Sequence, residues 1–125
     1  GNSSSEGTLY SRGGTADFSL IGHIKKKASS KVSIVPGDIV VRNKNLSLPN
    51  IVKIDVEGYE YQVIEGFEET LKQQICRAVY LEVHPTLMPK RIKPNNVMDL
   101  LKSFGFKFIK LCPRGKTFHA FCYKC

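Results

Sequence analysis

The sequence predicts an α/β fold with a parallel sheet at its centre and an antiparallel hairpin at its C-terminal end. Ile51-Val52-Lys53-Ile54-Asp55-Val56-Glu57 and Ala78-Val79-Tyr80-Leu81-Glu82-Val83-His84 are β-branched and almost continuously apolar, as expected of strands covered on both faces. The amphipathic segment between them is long enough for a crossover helix, which predicts neighbouring parallel strands joined right-handedly. Phe106–Cys112 and Phe118–Tyr123 flank Pro113-Arg114-Gly115-Lys116, a turn composition that predicts a hairpin.

Taken in order, Gly1-Asn2-Ser3-Ser4-Ser5-Glu6-Gly7 reads as a loop and suggests a piece of something longer, and residues 7–22 read as short strands or loop. Val32–Val35 and Ile39–Val41 read as two extended pieces around Pro36-Gly37-Asp38. Asn43–Asn50 is polar, and Gly58 ends the first buried strand. A helix is predicted from about Tyr59 to Gln74, with Ile64, Phe67, Leu71 and Ile75 on one stripe and Glu65, Glu68, Glu69 and Lys72 outside it. Gly66 within that helix costs about 1 kcal/mol relative to Ala, which predicts a close approach of the helix to the sheet. Pro85 stops the second strand, and Val97, Leu100, Leu101 and Phe104 then recur at helical spacing. Asn95 or Asn96 suits the start of that helix and Gly105 its C′ position.

The 125 residues form one domain, read as an approach segment over 1–50 and a core over 51–125. With 42% hydrophobic and 24% charged residues, the chain is an ordinary globular one. Its net charge of +8 is unevenly spread: residues 1–49 carry seven Lys/Arg against three acids, residues 91–125 eight against one, and residues 50–90 four against seven. A nucleic-acid binder runs its basic residues along one face with aromatics between, and the only dense cluster here is Lys25-Lys26-Lys27, which reads as a solvated loop. No nucleic-acid partner is therefore expected, and the charge suits steering of an anionic substrate. No apolar run approaches the roughly 20 residues of a membrane span. A cytoplasmic location with reduced cysteines is expected.

Acids seldom lie inside apolar strands unless something partners them. Asp55 and Glu57 share one face of the first strand, Glu82 and His84 one face of the second. If the strands are neighbours, three carboxylates and an imidazole meet beyond their carboxyl ends, where open parallel sheets bind ligands. A structural reading stands beside this one. Glu57 and Glu60 sit where acids favour a helix start, Glu82 can pair with Lys53, and His84 precedes a proline as loop-edge histidines do.

Val52-Lys53-Ile54-Asp55-Val56-Glu57-Gly58-Tyr59-Glu60, followed by Val63-Ile64-Glu65-Gly66, closely resembles the signature of FkbM-type methyltransferases. Tyr80-Leu81-Glu82-Val83-His84 resembles the next strand of that family, and the opening through Phe18-Ser19-Leu20 is similar to its variable approach segment. The resemblance implies a class I (Rossmann-like) methyltransferase fold, S-adenosylmethionine as cofactor, and O-methylation of a hydroxyl on a small molecule or glycan. It implies Asp55 as the residue that positions the acceptor and touches the cofactor's edge, His84 or Glu82 as base, and Glu57 and Glu60 on the acceptor. A divalent metal held by Asp55, Glu57 and Glu82 is compatible with the spacing but not required by it. The family's Gly-rich cofactor turn has no counterpart here, since Gly13-Gly14 precedes no helical pattern. The chain is thus expected to hold strands four to seven of the domain, its C-terminal half.

Two other readings remain open. Cys112, His119, Cys122 and Cys125 can be read as a Cys₃His zinc site in a small binding module, although residues three apart on a strand face opposite ways. The chain can also be a non-catalytic remnant or interaction module, with an exposed sheet edge that pairs with a second copy or a partner.

Overall fold

The structure, a computed structural model, describes residues 4–11, 18–19 and 28–125. Gly13-Gly14 and Lys25-Lys26-Lys27 lie outside the described residues. Strands β1 (Ser5–Ser11), β2 (Phe18–Ser19) and β3 (Ala28–Ile34) pair antiparallel in the order β2-β1-β3. Helix α1 (Gly37–Asn43) leads to β4 (Ile51–Ile54), and α2 (Glu60–Gly66) and α3 (Glu68–Lys72) connect β4 to β5 (Ala78–Val83). Helix α4 (Pro94–Ser103), β6 (Lys107–Arg114) and β7 (Thr117–Tyr123) complete the chain. The second sheet has the order β4-β5-β7-β6. Strands β4 and β5 are parallel, with Ile51 opposite Ala78 and Ile54 opposite Leu81. The other two pairings are antiparallel. The parallel centre and the C-terminal hairpin are both as expected.

The helices cover one face of this sheet. Ile54, Val79, Leu81, Val83, Ala120 and Cys122 turn inward against Ile64, Leu71, Val97 and Leu101, all buried. The expectation that the central strands are covered on both faces does not hold among the described residues. Ile51 is 67% exposed, Lys53 is exposed, and Tyr80 and Glu82 are only half-buried. Strands β4 and β6 form the edges of this sheet.

Four local expectations are corrected. Ile39–Val41 is helical, not extended. Pro36 stands at the N-cap, Asp38 in the first turn and Arg42 in the last, each where a helix favours it, and these outweigh the β-branched Ile-Val-Val run. The predicted helix over 59–74 is two helices, broken at Phe67 and ending at Lys72. Asp38 accepts hydrogen bonds from the backbone N–H of Glu69 (2.8 Å) and Thr70 (2.9 Å), so a residue 31 positions upstream caps α3, and Ile75 falls outside the helix, exposed. Gly66 makes its close approach to Pro36 and Gly37, with 3.4 Å from its would-be Cβ to Pro36 Cα, rather than to the sheet. Lys93, not Asn95 or Asn96, is the N-cap of α4, with Pro94 at the first helical position. Asn96 serves from inside the first turn, accepting the Lys93 N–H at 2.8 Å. Gly105, at φ 91°, follows that helix as anticipated.

Candidate functional site

Strand β4 ends at Ile54, opposite Leu81, so Asp55 and Glu57 lie just past it, near the end of β5 that carries Glu82 and the following His84. A tight turn then reverses the chain. Glu57 and Gly58 both have left-handed backbones, at φ 52° and 95°, which returns the chain toward the sheet as α2 begins. Gly58 has no alternative here, because a Cβ would sit 2.5 Å from the carbonyl carbon and oxygen of Leu87. The turn after β4 is fitted against the loop after β5, and the acids on one meet the histidine on the other.

His84 is the hub, only 5% exposed. Its Nδ1 lies 2.7 Å from Glu60 Oε1, and that oxygen also accepts the Gly58 N–H at 2.9 Å. The Glu60 contact occupies Nδ1 and leaves Nε2 on the side of the other carboxylates. Nε2 is 3.6 Å from Glu57 Oε1, 3.6 Å from Glu82 Oε1 and 4.0 Å from Asp55 Oδ1. Lys53 donates to the other Asp55 oxygen, Oδ2, at 3.0 Å. This hydrogen bond is the main reason the Lys53 pKa is raised, with the charge of Asp55 adding to it. Glu82 also faces His119 Nε2 at 3.8 Å, and the hydroxyl of Tyr80 lies 2.7 Å from His119 Nδ1.

The structure thus brings Asp55, Glu57, Glu82 and His84 to one rim, as the strand pattern predicts. Glu60, anticipated at the acceptor, is wholly buried. It sits behind the imidazole and reaches the rim only through it. One detail of the structural reading does not hold: Lys53 pairs with Asp55 rather than Glu82. Nothing in the local sequence separates Glu60 from a surface acid at a helix start. The signal is its spacing, two residues beyond Gly58, which becomes legible once the turn geometry is known.

The cysteines are not brought together. Cys122 lies inside the core opposite Val79, and burial pushes its thiol up to about 12. Its neighbour in the proposed zinc set, Cys125, is exposed, and the side chain of Cys112 lies outside the described residues. A cavity of about 290 Å³ lies between the start of α1 and α2, lined by Pro36, Tyr59, Gln62, Val63 and Phe67 among others. None of Asp55, Glu57, Glu60, Glu82 and His84 lines it.

Residues 1–108 match the Methyltransferase FkbM domain family. Over 69 residues the chain is 32% identical to a hexuronic acid methyltransferase, AglP, from Haloferax volcanii, a match covering 55% of this chain and 28% of the relative. The chain therefore spans under a third of that relative's length. No solved structure matches it.

Proposed function

The chain belongs to the FkbM methyltransferase family, and from that premise we propose that it forms the acceptor side of an S-adenosylmethionine-dependent O-methyltransferase acting on a hydroxyl of an acidic sugar or related small molecule. The observation that carries this reading is the convergence of three carboxylates on His84 Nε2 at the carboxyl ends of two parallel strands. The relative named for hexuronic acid methylation favours a sugar-acid acceptor. The class I architecture is supported by the parallel β4–β5 pair with its helical crossover and by the antiparallel β7 inserted between β5 and β6.

When bound, the cofactor supplies an electrophilic sulfonium methyl group. Its positive charge suits an acidic rim, while the described residues offer no Gly-rich turn for its remaining parts. The residues present act on the acceptor. Asp55, held by Lys53 through Oδ2, presents Oδ1 to a hydroxyl and fixes its direction. The hydroxyl proton passes to His84 Nε2 or Glu82 Oε1, whose 3.6 Å separation lets one acceptor hydroxyl reach both. Once bound, the cofactor would supply the methyl group that this oxygen takes up, the electron pair of the broken S–CH₃ bond staying on its sulfur. Glu60 keeps Nδ1 protonated and the ring oriented, so Nε2 keeps its lone pair. Glu57 adds acceptor contact at the rim.

Free Cys76, Cys122 and Cys125 support a reducing, cytoplasmic setting. Among the described residues no helix is long and apolar enough to cross a membrane. The open β4 edge favours a second role, pairing with another chain or a further copy, and chromatography of the chain at increasing concentration tests it. For the enzymatic role, the protein carrying this sequence is incubated with S-adenosylmethionine and hexuronic acids or their glycans, and products are mapped by mass spectrometry. Methylation at oxygen, reduced at least about 100-fold by Asp55→Asn with unchanged thermal stability, is expected. Turnover unaffected by Asp55→Asn overturns the assignment.

A further inference from the structure

We propose that Asp55, Glu57 and His84 form a binding site for a divalent first-row transition ion, with Glu60 as the outer partner that orients the histidine. The inference rests on the acceptor site described above only for its location, and its argument is coordination chemistry.

Acidic residues alone do not make a cation site, and the histidine is what distinguishes this one. His84 is 95% out of solvent by the same measure that leaves it 5% exposed. Its Nε2 makes no hydrogen bond to any described residue, yet it points at carboxylate oxygens on two loops. The contacts at 3.6 and 4.0 Å are too long for hydrogen bonds. They are the right length for atoms sharing an ion, because an ion about 2.0–2.2 Å from each ligand holds its ligands about 2.8–4.4 Å apart. The three ligand atoms of Asp55, Glu57 and His84 all lie within 4.8 Å of one another. Both acids are on the accessible side of the rim, so closing the last few tenths of an ångström requires only side-chain motion.

The outer partner is already built. A ligating histidine almost always donates its second N–H to a carboxylate or carbonyl, which fixes the tautomer and strengthens the free nitrogen as a donor. Glu60 does this at 2.7 Å, anchored by the Gly58 N–H. Its other oxygen, Oε2, is buried with no hydrogen-bond partner among the described residues. A buried carboxylate so poorly satisfied calls for positive charge nearby, and His84, bonded to its other oxygen, links it to the rim. Lys53 is the cation nearest the rim, but it occupies Asp55 Oδ2 and leaves Oδ1 to the site.

One imidazole with two carboxylates suits Mn²⁺, Fe²⁺ or Zn²⁺ better than Ca²⁺ or Mg²⁺, which prefer oxygen alone. Three protein ligands leave positions open for an acceptor hydroxyl or a sugar carboxylate. With Nε2 on the ion, Glu82 is left as the proton acceptor of the two bases named above. It is 3.6 Å from Nε2 and outside the ligand set.

The test uses Mn²⁺ alone, with neither cofactor nor acceptor, so that its outcome is independent of methyl transfer. Chelator-treated chain is titrated with Mn²⁺ by calorimetry and by loss of the free-ion electron paramagnetic resonance signal. One saturable site is expected. Asp55→Asn and Glu57→Gln, both at the exposed rim, each weaken it at least about tenfold with the far-ultraviolet circular dichroism unchanged. Glu60→Gln, in which the inner ligands remain, weakens it about 10- to 100-fold. Absence of saturable binding overturns the proposal, and so does binding whose affinity survives both rim substitutions, since the ion then sits elsewhere.

Discussion

Replacing Glu60 by alanine removes the side chain on which the rim is assembled, and the cost can be worked from its contacts. The carboxylate is completely buried and one oxygen satisfies two donors, the Gly58 N–H and His84 Nδ1. Losing it orphans both, at about 1–3 kcal/mol for each donor left buried and unpaired. Part of this is returned, because the parent protein bears the desolvation of a buried charge and the variant does not. We expect a net loss of about 2–4 kcal/mol, a sizeable share of the roughly 6–19 kcal/mol that 125 residues ordinarily give. Glu60→Gln keeps an oxygen in place and adds an amide nitrogen where Oε2 has no partner, so about 1–2 kcal/mol is expected from one orphaned donor in place of two. Urea unfolding measures both as shifts in midpoint at constant slope. A Glu60→Ala midpoint equal to that of the parent, or a Glu60→Gln variant less stable than Glu60→Ala, refutes the account of Glu60 as a buried acceptor. The double-mutant cycle with His84→Ala adds a coupling test, for which 0.5 kcal/mol or more is expected of residues in contact, by the roughly 0.5–3 kcal/mol range for such pairs.

Three further outcomes follow from other parts of the structure. Asp38→Ala removes two hydrogen bonds to a charged acceptor at the start of α3 and is expected to cost about 2–4 kcal/mol, lowering the calorimetric midpoint by roughly 10 °C; Asp38→Asn, which keeps one oxygen, loses less. The Cys122 thiol, pushed up to about 12 by burial, stays protonated at pH 8 and resists iodoacetamide while exposed Cys125 reacts. Because the folded value lies above the unfolded one, this group lowers stability as pH climbs from about 9 toward 12, visible as a falling unfolding midpoint that Cys122→Ala makes shallower; Cys76, also raised by burial, accounts for part of what remains. Titration of the 125-residue chain with S-adenosylhomocysteine is expected to show weak or no binding, since contacts at the edge of Asp55 alone do not offset the several kcal/mol spent immobilising a ligand; micromolar affinity refutes this.

The elements that were legible in the sequence are those whose burial partner is set by periodicity. The apolar run over 78–83 and the helical recurrence of Val97 and Leu101 let the strand, the helix and the helix's inward face be read directly, whereas the strand reads as covered on both faces while Tyr80 and Glu82 are only half-buried. The elements that were not legible depend on distant residues. The Ile39–Val41 run takes its conformation from Pro36 and from the clamp that Asp38 makes on α3, and the break at Phe67 depends on that same clamp. The site divides the same way. The strand pattern places Asp55, Glu57, Glu82 and His84 at one end of two parallel strands, but β4 stops at Ile54 and it is the left-handed pair Glu57–Gly58, packed against Leu87, that turns the chain so that Glu57 meets His84 and Glu60 is buried. The single-faced cover of β4 was also beyond a reading of the strand, because Ile51 and Lys53 do not encode what packs on them.

Glu57 carries a backbone cost. A left-handed backbone costs a non-glycine residue about 1–2 kcal/mol, and Glu57 adopts φ 52° while placing its carboxylate 3.6 Å from His84 Nε2, next to two like charges. Strain of this kind persists where the surroundings over-determine it and gathers at functional sites. The turn itself needs no side chain at this position, since Gly58 already makes the close approach to Leu87. Glycine at 57 therefore relieves the backbone and removes a like charge, offset by about 0.5–1 kcal/mol of extra unfolded-state freedom. Glu57→Gly is expected to leave stability unchanged or raise it by up to about 1 kcal/mol, while weakening Mn²⁺ binding at least as much as Glu57→Gln. Glu57→Ala, with the same charge lost and the strain kept, separates the two effects: it matches Glu57→Gly in Mn²⁺ affinity and falls below it in urea midpoint. If Glu57→Gly is instead clearly destabilised, the carboxylate is holding the turn together through His84, and the residue is structural before it is a ligand.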